Sequence, residues 1–389
     1  MRVLRCIRIR ADLPHRCART HASPRPSLRT RTPHASTRNG RFLNGSNGSN
    51  GHTTFRHRNV ALLGISEVTA PVELTSDELD ARLAGALTSL GLPNGLLQRV
   101  AGVHARRNWN RPQDFTAGAA EAGRRALKVS GIDQSRIGLM INTSVTREQL
   151  EPSVAVAVHD GIGLGPQAMN FDIANACLGF VNGMTVAGTM IDSGQIDYAL
   201  IVAGEDASRV QDATVRRLSR DGITREEYLE EFASLTLGSG AAAAVLGPAD
   251  RHPEGHRVLG GVTRAATWNH ELCVGDHNGM FTDAKGLLDN GMELVVAAWE
   301  EAHADGWDWR SMDRYVTHQV SSIHTNAITK AVDLDPRRVP TTYPELGNVG
   351  PAALPITLAR EVESLRAGDR VLAMGVGSGL NTAMTEIVW

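Results

Sequence analysis

Two rhythms of apolar and polar residues run along this chain. Short apolar runs recur at 59–68 (NVALLGISEV), 137–143 (IGLMINT), 198–203 (YALIVA), 235–246 (LTLGSGAAAAVL), 260–266, 315–319 (YVTHQ), 370–376 (RVLAMGV) and 384–389. Runs of this length between turn residues predict buried strands. Those at 235–246 and 260–266 are expected to pair with each other. Segments with helical spacing lie between the runs. Residues 75–90 put Leu79, Leu83, Ala86 and Leu87 on one face behind a Thr75 or Ser76 cap. Further helices are predicted at 115–129, around 154–159, at 289–304 and at 347–360. The charged stretch 208–232 reads as a helical surface insertion.

Residues 170–194, NFDIANACLGFVNGMTVAGTMIDSG, break the usual amphipathic pattern. A strand at 170–173 and a turn on Ala174, Asn175 and Ala176 lead into a helix that is apolar nearly all round, which predicts a buried central helix. Gly179, Gly183 and Gly188 cost helix propensity and point to backbone packed against backbone. Cys177 falls at the start of this helix. There the unpaired N–H groups and the dipole favour a thiolate, so the residue reads as a nucleophile. An inert buried cysteine is the competing reading.

A weak repeat appears at the same level. The order IGLMINTSV, NACLGFVNGM, YALIVAGEDAS matches DRYVTHQVS, GNVGPAALPI, RVLAMGVGSG. Cys177 precedes Tyr198 by 21 residues, and Asn348 precedes Val371 by 23. Such alternation predicts an α/β fold of two βαβ-type halves with mostly parallel sheets. It makes Cys177 and Asn348 equivalent, each at the start of a central helix. The expected divisions are 1–58, an Arg-rich disordered extension; 59–235, the half holding Cys177; and 236–389, the remaining strands with the half holding His318 and Asn348.

Composition narrows the class. With 42% hydrophobic and 21% charged residues the 389-residue chain is globular in type, and no apolar run is long enough to span a membrane. Residues 1–58 carry 13 of the 40 basic residues and one of the 42 acids, so the remainder is acidic by 14 charges. An acidic body argues against a nucleic-acid enzyme. The head is a non-functional extension, a targeting segment or a basic tail. The four cysteines show neither a disulfide framework nor metal-ligand spacing, which suits a reducing compartment such as the cytoplasm.

From residue 59 onward the chain resembles the thiolase superfamily in its ketoacyl-ACP synthase III branch. The resemblance rests on DIANACLGFVNGM, VTHQVS around His318, ELGNVGPAALPI around Asn348, and GVGSGLN. Within the branch it looks most like the OleA-type enzymes that join two fatty acyl-CoA molecules head to head, through INTSVTREQLEPS, TRAATW and GSGLNTAMTEIVW. The resemblance implies a five-layered αβαβα thiolase fold with buried central helices, a cytoplasmic dimer, and no cofactor or metal beyond the CoA thioester. Cys177 would form an acyl-enzyme. His318 and Asn348 would hold charge on thioester oxygens, and the turn at Ser378 would share an oxyanion with the N–H of Cys177. Glu151, in the LEPS segment, would be the base that removes a Cα proton, reaching across a dimer. A desolvated carboxylate with raised pKa suits that role. Arg99, Arg106 and Arg107 are candidates for the CoA phosphates, or simply a solvated basic turn. His104, His159 and His324 read as structural. Two other readings stay open: a decarboxylating synthase using a malonyl thioester, and one subunit of a heterodimer, as in lipstatin-type β-lactone pathways.

Overall fold

The computed structural model describes residues 53–276 and 278–389. Most of the Arg-rich head lies outside the described residues. Its last part does not match the expectation of disorder: β1 (Thr54–Arg56) pairs with a later strand, and the buried His57 ring meets Asp192 at 3.2 Å.

After β2 (Ala61–Thr69) and β3 (Val72–Thr75), Thr75 and Glu78 form a reciprocal capping box that starts α1 (Ser76–Arg82). The helix predicted at 75–90 breaks at Leu83, and α2 (Ala84–Ser89) continues it. Strand β4 (Ala105–Asn108) pairs antiparallel with β3. Then come α3 (Asp114–Ser130), β5 (Ile137–Asn142), α4 (Val154–Ile162), β6 (Met169–Asp172), α5 (Gly179–Asp192) and β7 (Tyr198–Glu205). Helices α6 (Ser208–Leu218) and α7 (Arg225–Glu231) precede β8 (Gly240–Gly247) and β9 (His256–Ala265). A hairpin of β10 (Cys273–Asp276) and β11 (Gly279–Thr282) leads to α8 (Ala284–Ala304) and β12 (Arg314–Thr317). The chain closes with α9 (Ser322–Ala331), α10 (Tyr343–Leu346), α11 (Ala353–Glu361), β13 (Arg370–Gly377) and β14 (Asn381–Val388).

The large sheet runs β12-β13-β14-β9-β2-β8-β7-β5-β6, with β1 added on β9. Its two ends mirror each other. β5 is parallel to β7, which is antiparallel to β8; β12 is parallel to β13, which is antiparallel to β14. The predicted repeat is therefore present, but the sheet is mixed rather than mostly parallel. Nor do the two strands near 235–246 and 260–266 pair, because β2 lies between β8 and β9. The seam between the halves is narrow: β2 and β9 share the pairs Ala61↔Arg257 and Leu62↔His256.

Helices α5 and α11 fill the space where the halves diverge. One core joins Leu178, Phe180, Met184 and Ile191 beside α5, Leu354, Ile356 and Leu358 of α11, and strand residues from both halves. Each fully buried large apolar side chain there contributes roughly 1.5–3 kcal/mol. Helices α3 and α4 cover the outer face of one half, and α8 and α9 that of the other. The five layers are thus helix, sheet, paired central helices, sheet, helix. The stretch 208–232 is more than a surface insertion: Val215, Leu218 and Tyr228 pack with Leu79, Leu83, Leu87 and Leu97 in a separate core. Among the described residues, no helix is long and apolar enough to cross a membrane.

Candidate active site

Cys177 sits in a sharp turn between β6 and α5. Ala176 takes φ +44°, a left-handed conformation uncommon for a residue with a Cβ. Leu178 is the N-cap of α5, so Cys177 stands just outside the helix. The helix is pressed close to the strands beneath: a Cβ added at Gly179 would lie 2.7 Å from the Thr143 carbonyl, and one at Gly183 would lie 3.0 Å from Thr143 Cγ2. At Gly179 this is the backbone contact that the glycines predict, whereas Gly183 and Gly188 make room for side chains, of Thr143 and Ile201 and of His57. From the other half, the end of β13 reaches the same turn, and a Cβ at Gly377 would be 3.5 Å from the Cys177 nitrogen. The half-buried Ser378 follows directly.

The charge state of Cys177 differs from the expectation. Burial pushes the thiol up to about 12, with Cys273 and then Glu205 adding to the shift. Desolvation disfavours the thiolate. The dipole does not offset it, because the cysteine precedes the N-cap instead of lying in the first turn.

His318 follows β12, and its N–H donates to the Met374 carbonyl of β13 at 2.7 Å. The strand that carries Met374 continues to Gly377 beside Cys177, so β13 links the two residues. The imidazole is buried, and both ring nitrogens lack a hydrogen-bond partner among the described residues. Burial, with His324 nearby, lowers its pKa to about 3, so the ring is neutral at physiological pH. His324 is held through Nδ1 by Ser321 Oγ at 2.9 Å.

Asn348 lies at the start of the short turn (Gly350–Ala352) that leads into α11. Its Oδ1 accepts from the Gly350 N–H at 2.9 Å, and its backbone is fastened to Thr236 and Gly238. Its amide hydrogens have no partner among the described residues. Asn348 thus closes a local turn ahead of α11, whose own N-cap is Ala352, and keeps its donor free.

Glu151 is exposed at the tip of the loop between β5 and α4, beside Leu150, which is 90% exposed. The desolvation expected for a base is not supplied by this chain alone. The arginines separate. Arg106 is fully buried, donating to Ser76 Oγ at 3.1 Å and packing beside Gly238 and Gly347, so it cannot meet a phosphate from solvent. Arg107 pairs with Glu73 at 2.6 Å. Arg99 is exposed and donates to the Asn94 carbonyl. The correction at Arg106 has a clear cause: β3 and α1 fold over the basic strand, which local sequence cannot reveal. His159 is structural, with Nε2 3.2 Å from the Ala168 carbonyl.

Two residues near the site escape the sequence reading. Glu205, the last residue of β7, is buried, and its carboxylate accepts from the N–H groups of Val145 (2.7 Å) and Thr146 (3.1 Å) and from Thr146 Oγ1 (2.6 Å). Burial raises its pKa to about 7 against those bonds. Cys273, on β10, lies within electrostatic reach of Cys177. An acid ending the wholly apolar run YALIVAG is the one signal that marks Glu205 in the sequence. Among the described residues, no cluster of three or more His, Cys, Asp or Glu is placed to hold a metal ion.

Comparison with known proteins gives the family. The 3-oxoacyl-[acyl-carrier-protein (ACP)] synthase III family matches residues 171–266, and its C-terminal counterpart matches residues 302–389. An acyl-CoA:acyl-CoA alkyltransferase of Xanthomonas campestris is 43% identical over 335 residues, covering 85% of this chain and 99% of that protein. One of Shewanella oneidensis is 33% identical over 350 residues, covering 86% and 100%. The crystal structure of Xanthomonas campestris OleA with bound lauric acid and lauroyl-CoA superposes with a TM-score of 0.83 at 43% identity, covering 86% of this chain and all of the other. Other structures of that protein carry replacements of one glutamate, one cysteine or one histidine.

Proposed function

Since the chain belongs to the acyl-CoA:acyl-CoA alkyltransferase family, we propose that it joins two fatty acyl-CoA molecules by a non-decarboxylative Claisen condensation. The observation that carries this choice is the 43% identity along 99% of the Xanthomonas alkyltransferase. A beta-ketoacyl-[acyl-carrier-protein] synthase III of Streptomyces coelicolor is a more distant relative, at 27% identity.

The Cys177 sulfur attacks the thioester carbonyl of the first acyl-CoA. The S–C bond forms, the bond to CoA breaks, and CoA leaves as its thiol with the proton that Cys177 gives up. The proton passes to the departing CoA sulfur as attack proceeds, and the neutral His318, its pKa lowered to about 3 by burial, serves as a hydrogen-bonding group rather than as the base. The oxyanion draws on the N–H groups of Cys177 and Ser378. Glu151 of the partner subunit then removes a Cα proton from the second acyl-CoA. His318 and the free amide of Asn348 stabilise the enolate oxygen. The enolate carbon attacks the acyl-enzyme carbonyl, Cys177 leaves, and a 2-alkyl-3-ketoacyl-CoA results, fit for an olefin or β-lactone type of pathway. The steps balance with two thioesters and protein side chains alone.

This assignment of Glu151 calls for a dimer, since the exposed loop can be desolvated only against another surface. Arg99, the exposed member of the three arginines, remains the candidate for the CoA phosphates. Acyl-CoA substrates and the family's chemistry suit a cytoplasmic enzyme.

The test separates the half-reactions. Glu151→Ala is expected to load acyl groups on Cys177 normally, seen by intact mass with lauroyl-CoA, while condensation falls about 100-fold or more. Native condensation in this variant would remove Glu151 from the mechanism. Release of CO2 from malonyl-CoA at a comparable rate would favour the decarboxylating reading.

A further inference from the structure

The loop bearing Glu151 is tied at both ends by carboxylates, and the steps above use neither. At its far end Asp172 accepts from the N–H groups of Val154 (3.1 Å) and Ala155 (2.8 Å) and from Asn142 Nδ2 (3.0 Å). Ser153, the N-cap of α4, makes no side-chain cap bond, so Asp172 takes that role from a neighbouring strand. At its near end Glu205 holds Val145 and Thr146. The Thr146 hydroxyl in turn accepts from the Asp206 N–H at 3.1 Å. Between the two ties, Glu148 pairs with Arg209 at 2.8 Å, and Leu150 and Glu151 project outward.

We propose that Glu205 is a positioning residue for the condensation step: it fixes the root of the loop and thereby sets the reach of Glu151. The inference rests on Glu151 being the base, as argued above. Burying a carboxylate is costly unless its lone pairs are satisfied. Here three donors meet it, all from the first residues of this loop. Its other side faces Gly350, where an added Cβ would lie 3.5 Å from Glu205 Cγ. The residue therefore spans from the loop root to the turn that carries Asn348. Gln has the same shape, but its NH2 group would face N–H donors and leave at least one of them unpaired. A loop root freed in this way displaces its tip, and about 1 Å of misplacement can cost 100-fold in rate.

The experiment uses the full chain with lauroyl-CoA. In Glu205→Gln we expect Cys177 loading within about threefold of native and condensation lowered about 10- to 100-fold. Thr146→Val, which removes one donor, is expected to give a smaller loss of the same kind, and it serves if the first variant does not fold. Glu151→Ala is run beside them. If it condenses normally, the base reading fails, and the anchor loses its purpose with it. If it is inactive in condensation while Glu205→Gln condenses at the native rate, the positioning role alone is overturned. That role fails likewise if Glu205→Gln loses loading and condensation equally, since the residue would then act on its own chain's Cys177.

Discussion

The half-buried Cys177 thiol, desolvated by its surroundings, keeps its proton. With the Cys177 thiol pushed up to about 12, on the order of one sulfur in ten thousand is ionised at pH 8. Alkylation of the free enzyme by iodoacetamide should therefore climb about tenfold per pH unit between pH 7 and 9, because the reactive form is the thiolate. Intact-mass kinetics would reveal this. A rate that levels off below pH 8 would show a thiolate at rest and restore the dipole argument. At this scale the sequence is informative where residue type and local turn together define a chemical role, as with Cys177 before an apolar helix, Asn348 before another, and His318 at a strand end. It misleads where the environment comes from afar. Arg106 looks like a solvent-facing cation until β3 and α1 cover it, and Glu205 looks like a solvated strand end until Val145 and Thr146 close over it.

Helix α5 is the element on which the site turns. Its first residue, Gly179, has a backbone carbonyl where a methyl group would go, at 2.7 Å. Gly179→Ala must shift the start of the helix, and Cys177 with it. We expect about 1–3 kcal/mol of lost stability from overpacking, read as a lowered Tm, together with loss of acyl loading beyond what the melting change explains. Loading at the native rate would mean that the turn holds Cys177 independently of the helix. Most elements are visible in the sequence because apolar runs and caps are local. Thr75 with Glu78 and the glycines of α5 are examples. Strand partnership is not local. The strands near 235–246 and 260–266 are close in sequence, which favours pairing, yet β2 enters between them.

Across the whole molecule the repeat in the sequence becomes a twofold resemblance between the ends of one sheet, with each central helix delivering one part of the site. The mixed strand directions stay hidden because apolar runs do not encode direction. What joins the halves is mainly the shared core of α5 and α11; the strand seam adds two residue pairs between β2 and β9 and the three by which β1 lies on β9. The covalent link between β8 and β9 is a turn in which Arg251, Pro253 and Glu254 are exposed to solvent. Peptide continuity there is a convenience. Cut between Pro253 and Glu254, the gene would encode two fragments whose apolar faces fit nothing else as well as each other. Co-expressed, they should co-purify through a tag on either one and regain acyl loading on Cys177; fragments that stay apart would mean that the tether, and not the interlocking interior, keeps this protein whole.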